Sequence, residues 1–138
     1  MATIPRIFIS HATPDTGFAE RLAGDLRRAG ADVWLDATHL AGTGGDFISR
    51  INAALDSREV LILILSPAAL ASKWVPLEMN TSIALNREGV MREPIIVLKD
   101  AIEAKDIPGI WKVFNRIDAT GVKYDQALPL ICQALRIT

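Results

Sequence analysis

Few side chains in these 138 residues have the types and spacing to do chemistry. Ser10 and His11 stand together after the apolar triplet Ile7-Phe8-Ile9, and Ser66 follows the run Val60-Leu61-Ile62-Leu63-Ile64-Leu65. A serine beside a histidine suggests a hydrolase nucleophile. However, no Gly-x-Ser-x-Gly elbow is present, and neighbours on an extended chain point in opposite directions. Gly42-Thr43-Gly44-Gly45 resembles a phosphate loop only superficially. It follows the second strand rather than the first, Phe47 stands where a dinucleotide fingerprint needs its third glycine, and no Gly-Lys-Ser/Thr occurs. The segment reads as a surface loop, with His39 a solvated residue in it. Cys132 is the sole cysteine, so it forms no internal disulfide, and with only His11 and His39 beside it no zinc spacing exists. No metal site is expected.

The elements that must position these residues alternate between short apolar runs and longer amphipathic stretches. Ile7-Phe8-Ile9 reads as a strand. Thr13 and Pro14 then cap and open a helix whose Phe18, Leu22 and Leu26 recur every four residues, with Gly30 ending it. Ala31 to Leu35 is a second strand. After the glycine-rich stretch from Asp36 to Gly45, Asp46 caps a helix with Phe47, Ile48, Ile51, Ala54 and Leu55 on its apolar stripe. Val60 to Leu65 is apolar on both faces, as in a strand covered on both sides. A short helical turn over Ala68 to Ala71 follows, then a helix beginning between Ser72 and Pro76 and ending near Glu88. Ile95 to Leu98 and Val113 to Ile117 are further strands, and Leu128, Ile131, Cys132 and Leu135 mark a closing helix in which Cys132 is a core thiol.

This alternation specifies α/β architecture, a parallel sheet with helices on both faces. With right-handed crossovers, the expectation is a flavodoxin-like three-layer sandwich, five parallel strands in the order 2-1-3-4-5. The switch point then lies between strands 1 and 3, and any chemistry belongs just beyond them, at Ser10-His11-Ala12 and Ser66-Pro67.

Composition sets the outer bounds. Half the residues are hydrophobic and 22% are charged, which suits a packed domain, and one domain over 1–138 is expected. Fifteen basic against sixteen acidic residues leave a net charge of −1, without the basic footprint of a nucleic-acid binder. The longest strictly apolar run, Val60 to Leu65, falls far short of the ~20 residues a membrane helix needs. With no signal peptide legible at the start of the sequence, a reduced, cytoplasmic protein is expected.

A phospho-acceptor receiver shares this architecture, but it needs acidic residues beyond strand 1 and an aspartate at the end of strand 3. Ser10-His11 and Leu65-Ser66 occupy those places, so the hard oxygen ligands for Mg²⁺ are missing. The most informative stretch is Leu65-Ser66-Pro67-Ala68-Ala69-Leu70-Ala71-Ser72-Lys73-Trp74-Val75-Pro76-Leu77-Glu78. Together with Ile7-Phe8-Ile9-Ser10 and the glycine-rich loop after Trp34-Leu35-Asp36, it resembles the TIR (Toll/interleukin-1 receptor) domain family, across essentially the whole chain.

The resemblance implies the same five-stranded fold and one of two functions. Some TIR domains, including bacterial ones, cleave NAD⁺ at the nicotinamide–ribose bond, and others are non-catalytic modules that assemble with further TIR domains in immune or defence signalling. In the enzymes the catalytic glutamate lies four residues after a tryptophan, which implies Glu78 after Trp74. NAD⁺ is then a substrate and no cofactor is implied. Because nicotinamide is already cationic in NAD⁺ and leaves neutral, the second carboxylic acid of ordinary glycosidases is unnecessary. What remains is to stabilise the oxocarbenium ion growing on the ribose, a task for one ionised carboxylate. By position, Ser10, His11 and Ala12 correspond to the loop framing the nicotinamide, Phe47 to a substrate-contacting aromatic in the helix after the glycine-rich loop, and Gly45 to the substrate-contacting position two places before it. Phe47 is equally explained as the first core residue of its helix. Trp74 offers either an aromatic surface at the site or an anchor for the helix entrance. The stretch from Asp36 to Gly45 corresponds to the family's BB loop, which docks on a neighbouring TIR domain. A nucleoside deoxyribosyltransferase, with glutamate as covalent nucleophile, shares only the fold and the single carboxylate.

Overall fold

The computed structural model describes residues 4–35 and 58–137. Five strands, β1 (Arg6–Ser10), β2 (Asp32–Leu35), β3 (Val60–Leu65), β4 (Ile95–Leu98) and β5 (Arg116–Asp118), form one all-parallel sheet in the order β2-β1-β3-β4-β5. The expected flavodoxin-like sandwich is therefore present. Among the described residues the helices are α1 (Thr16–Arg28), α2 (Pro67–Ala71), α3 (Val75–Arg87) and α4 (Tyr124–Leu135).

β3 explains the layering. All six of its residues are buried, and successive side chains enter opposite layers. Val60, Ile62 and Ile64 join Ile7 and Ile9 against Leu22 and Leu26 of α1 and Ile131 of α4. Leu61, Leu63 and Leu65 join Phe8 against Met79 and Ile83 of α3 and Trp111. Ser10 continues the alternation of β1 and falls on the α3 side, where its hydroxyl meets Glu78.

Two local expectations are corrected. Thr13 does not cap α1 through its side chain: Thr13–Asp15 forms a 3-10 turn, with Asp15 N–H donating to the Ala12 carbonyl at 2.8 Å, before α1 begins. Val113 is not in a strand. Gly109–Val113 is a 3-10 helix that buries Trp111, and β5 starts only at Arg116. Pro108 lacks a donor and its carbonyl accepts from Trp111 N–H, which winds the segment locally instead of pairing it. Gly30 ends α1 at φ +103°, a conformation open to glycine without the strain a Cβ would bring. The helix beginning at Asp46 and the loop from Asp36 to Gly45 lie outside the described residues. No helix among the described residues is long and apolar enough to cross a membrane.

Past β5, the Asp118 carboxylate accepts from Thr120 Oγ1 at 2.7 Å, Thr120 N at 2.9 Å and Lys123 Nζ at 2.9 Å. The Thr120 hydroxyl, then its N–H, and Lys123 hold this carboxyl down at about 2, against an ordinary 3.8. A depressed carboxyl adds stability above its unfolded value and loses it as pH falls through the folded one. The turn into α4 therefore stays intact at pH 4 and opens toward pH 2. A Thr120 amide NMR titration with its midpoint near 2 is expected; a midpoint near 3.8 would show that these bonds do not form in solution.

Candidate active site

α3 carries the carboxylate. The Ser72 hydroxyl accepts from the backbone N–H of Trp74 at 3.1 Å and of Val75 at 3.3 Å, satisfying donors that a helix start leaves open. Pro76 fits the first turn, and Glu78, also in that turn, donates its N–H to the Trp74 carbonyl at 2.9 Å. A carboxylate there is favoured by the helix dipole. Ser10 Oγ donates to Glu78 Oε1 at 2.7 Å, and each residue is only 1% exposed. The pair joins the carboxyl end of β1 to α3, at the switch point between β1 and β3.

His11 lies on the other side of β1. Its Nε2 is 3.3 Å from Thr16 Oγ1, and that hydroxyl spends its single proton on the Thr13 carbonyl at 2.7 Å. Thr16 therefore accepts, and we assign the Nε2–H form to the ring. Ala12 packs in the apolar layer that includes Met79 of α3. Trp74 is half-buried, with the Lys73 ammonium 5.0 Å above its ring centroid. Of the positions singled out by the resemblance, Ser10, Ala12 and Glu78 thus lie on the α3 side, Trp74 stands at the N-cap of α3, His11 is bonded at the start of α1, and Gly45 and Phe47 lie outside the described residues.

Sequence reasoning passed over Asp15 and Lys99. Asp15, in the 3-10 turn after β1, receives the Ser66 hydroxyl on Oδ2 and the Lys99 ammonium on Oδ1 at 3.2 Å. Their legible signal was position, immediately beyond β1 and β4. Cys132 is partly buried against the α1–α4 layer, and burial first, then the Asp25 charge, pushes its thiol up, as expected of a core cysteine. Among the described residues no three His, Cys, Asp or Glu side chains cluster as metal ligands.

A 2-1-3-4-5 parallel sheet with a hydroxyl-held carboxylate at its switch point defines a flavodoxin-like α/β domain with a candidate site at the carboxyl edge. The family profile described as TIR domain matches residues 7–132, and the chain belongs to the TIR domain family. It is 39% identical over 88 residues to the "NAD(+) hydrolase PdTIR" of Paracoccus denitrificans (strain Pd 1222), covering 62% of this chain and 29% of that protein. It is 34% identical over 83 residues to the "2' cyclic ADP-D-ribose synthase BtTIR" of Bacteroides thetaiotaomicron, covering 59% and 29%. Each match thus spans under a third of the relative's length. The crystal structure of the TIR domain of the Toll-related receptor TRR-2 from Hydra magnipapillata superposes with TM-score 0.73 over 94% of this chain and 97% of that one. At 16% identity, it is a likeness of fold.

Proposed function

We propose that this TIR domain is an NAD⁺ nucleohydrolase with Glu78 as its catalytic residue. The observation that carries the reading is the Ser10–Glu78 pair: one carboxylate, oriented by a hydroxyl, at the switch point of a domain similar to part of a named NAD(+) hydrolase and of a named 2' cyclic ADP-D-ribose synthase. In the proposed reaction the C–N bond to nicotinamide breaks and its electron pair neutralises the departing ring. Positive charge builds on the ribose, where the Glu78 carboxylate stabilises it. Ser10 uses one of the roughly four lone-pair sites of a carboxylate, and ribose hydroxyls donate to others. Water then adds to the sugar carbon and releases a proton, giving ADP-ribose; attack by a nucleophile within the substrate gives a cyclic isomer instead. Trp74 supplies an apolar wall, and Ala12, Gly45 and Phe47 complete the substrate contacts. His11 is tied to Thr16 and reaches substrate only by releasing that bond.

One observation favours a second reading, a non-catalytic TIR–TIR interaction module: Glu78 is 1% exposed, so the site must open before a dinucleotide can reach it. Assembly with further copies in defence signalling reconciles both readings if docking through residues 36–45 drives the opening. Three of those ten residues are glycine, the residue type that loses most conformational freedom on being fixed, so such docking carries an entropic cost. Nicotinamide release per molecule is then expected to rise with protein concentration. A total rate strictly linear in enzyme would count against assembly control, and no release at any concentration would leave the interaction module.

A further inference from the structure

Resting on the NAD⁺-cleaving reading, we propose that Asp15 is a positioning residue: held between Ser66 and Lys99 across the carboxyl ends of three strands, it fixes the loop after β1 so that Ser10 stays against Glu78. Asp15 is 3% exposed, and a carboxylate that far from water persists only if it is paired. Both its oxygens are engaged, Oδ2 by the fully buried Ser66 hydroxyl and Oδ1 by the Lys99 ammonium. Each partner is itself anchored. Ser66 Oγ accepts from Ala69 N at 3.0 Å, capping α2, and Lys99 N–H donates to the Leu65 carbonyl at 2.9 Å. Lys99 Nζ also lies 3.3 Å from Asp100 Oδ2. Burial pulls this ammonium down, but its bonds and charge pairing with Asp15 and Asp100 outweigh burial and hold it above its ordinary value, so it stays charged through neutral pH.

The three attachments have one mechanical consequence. Asp15 N–H closes the 3-10 turn on Ala12, two residues after Ser10, while Ser66 leads through α2 to Ser72, Trp74 and Glu78. The Asp15–Ser66 bond thus ties the segment bearing the hydroxyl to the segment bearing the carboxylate. Replacing a whole buried ion pair by apolar packing is often harmless to stability, although removing one partner strands the other charge, so stability alone gives weak reason for keeping the Asp15–Lys99 pair. Alignment of Ser10 gives a stronger reason, because a displacement of about 1 Å at a reacting group can cost roughly 10²-fold in rate.

The test combines a readout that needs no activity with one that does. In Asp15→Ala, amide exchange over residues 11–16 should accelerate by about tenfold or more, while β3 and β4 keep their protection. The kcat for nicotinamide release should fall by at least about tenfold with KM within roughly twofold, and Asp15→Asn, which still accepts from Ser66, should recover most of it. Asp15→Ala combined with Ser10→Ala should lose no more than Ser10→Ala alone. If Asp15→Ala does not fold, Ser66→Ala takes its place, since it loosens the carboxylate while leaving the ammonium. Unchanged exchange over 11–16, or losses that multiply in the double variant, would overturn the proposal. A wild-type protein that releases no nicotinamide would instead defeat the NAD⁺ reading, and exchange would still decide the clamp.

Discussion

Glu78→Ala is expected to lower nicotinamide release by about 10²–10³-fold, the cost of one preorganised electrostatic group at a site of developing charge. The substitution also strips Ser10 of its acceptor, and an unsatisfied buried hydroxyl costs about 1–3 kcal/mol of stability. That is a sizeable share of the 5–15 kcal/mol, roughly, that holds a domain together, so the alanine variant must be shown to be folded. Glu78→Gln separates the two effects. Its amide oxygen still accepts from Ser10, whereas its charge is gone. If charge at the ribose is what matters, glutamine falls nearly as far as alanine while its unfolding midpoint stays close to wild type. A glutamine variant that releases nicotinamide at the wild-type rate would end the catalytic assignment of this residue.

How far the fold and site were legible depends on whether a feature is local. Val60 to Leu65 could be assigned because a strand buried on both faces must be apolar throughout, and this fixed β3 at the centre of the sheet. Val113 was misread because β-branched and aromatic residues favour a strand, whereas burial of Trp111 and the i→i+3 bonds after Pro108 wind that segment into a 3-10 helix. At the site, Trp74 and Glu78 could be singled out only through the resemblance to the TIR family, whose tryptophan–glutamate motif is contiguous in sequence. The Ser10 bond to Glu78 links residues 68 apart, and no periodicity reports it. Asp15 is a further step removed. Its partners follow β3 and β4, and attention confined to the ends of strands 1 and 3 overlooks Lys99. The topology contained that information, because parallel strands bring all their carboxyl ends to one edge.

The same topology predicts where stability is most sensitive. Trp111→Ala is expected to cost about 3–5 kcal/mol, seen as a urea midpoint shifted down at unchanged slope and as a melting temperature lower by roughly 10–20 °C. Trp111 is 1% exposed, in the layer that contains Met79 and Ile83 of α3, so its removal opens a cavity behind the helix that carries Glu78. Its indole Nε1–H also donates to Asn80 Oδ1 at 3.0 Å, and the two contributions can be ranked. Asn80 is exposed, so its oxygen returns to water when the donor is lost, and the bond is worth only about 0.5–1.5 kcal/mol net. Packing therefore dominates. Trp111→Phe, which keeps an aromatic ring in the layer but no donor, should retain more than half of the stability that alanine loses. A phenylalanine variant as unstable as alanine would transfer the effect to the Asn80 bond.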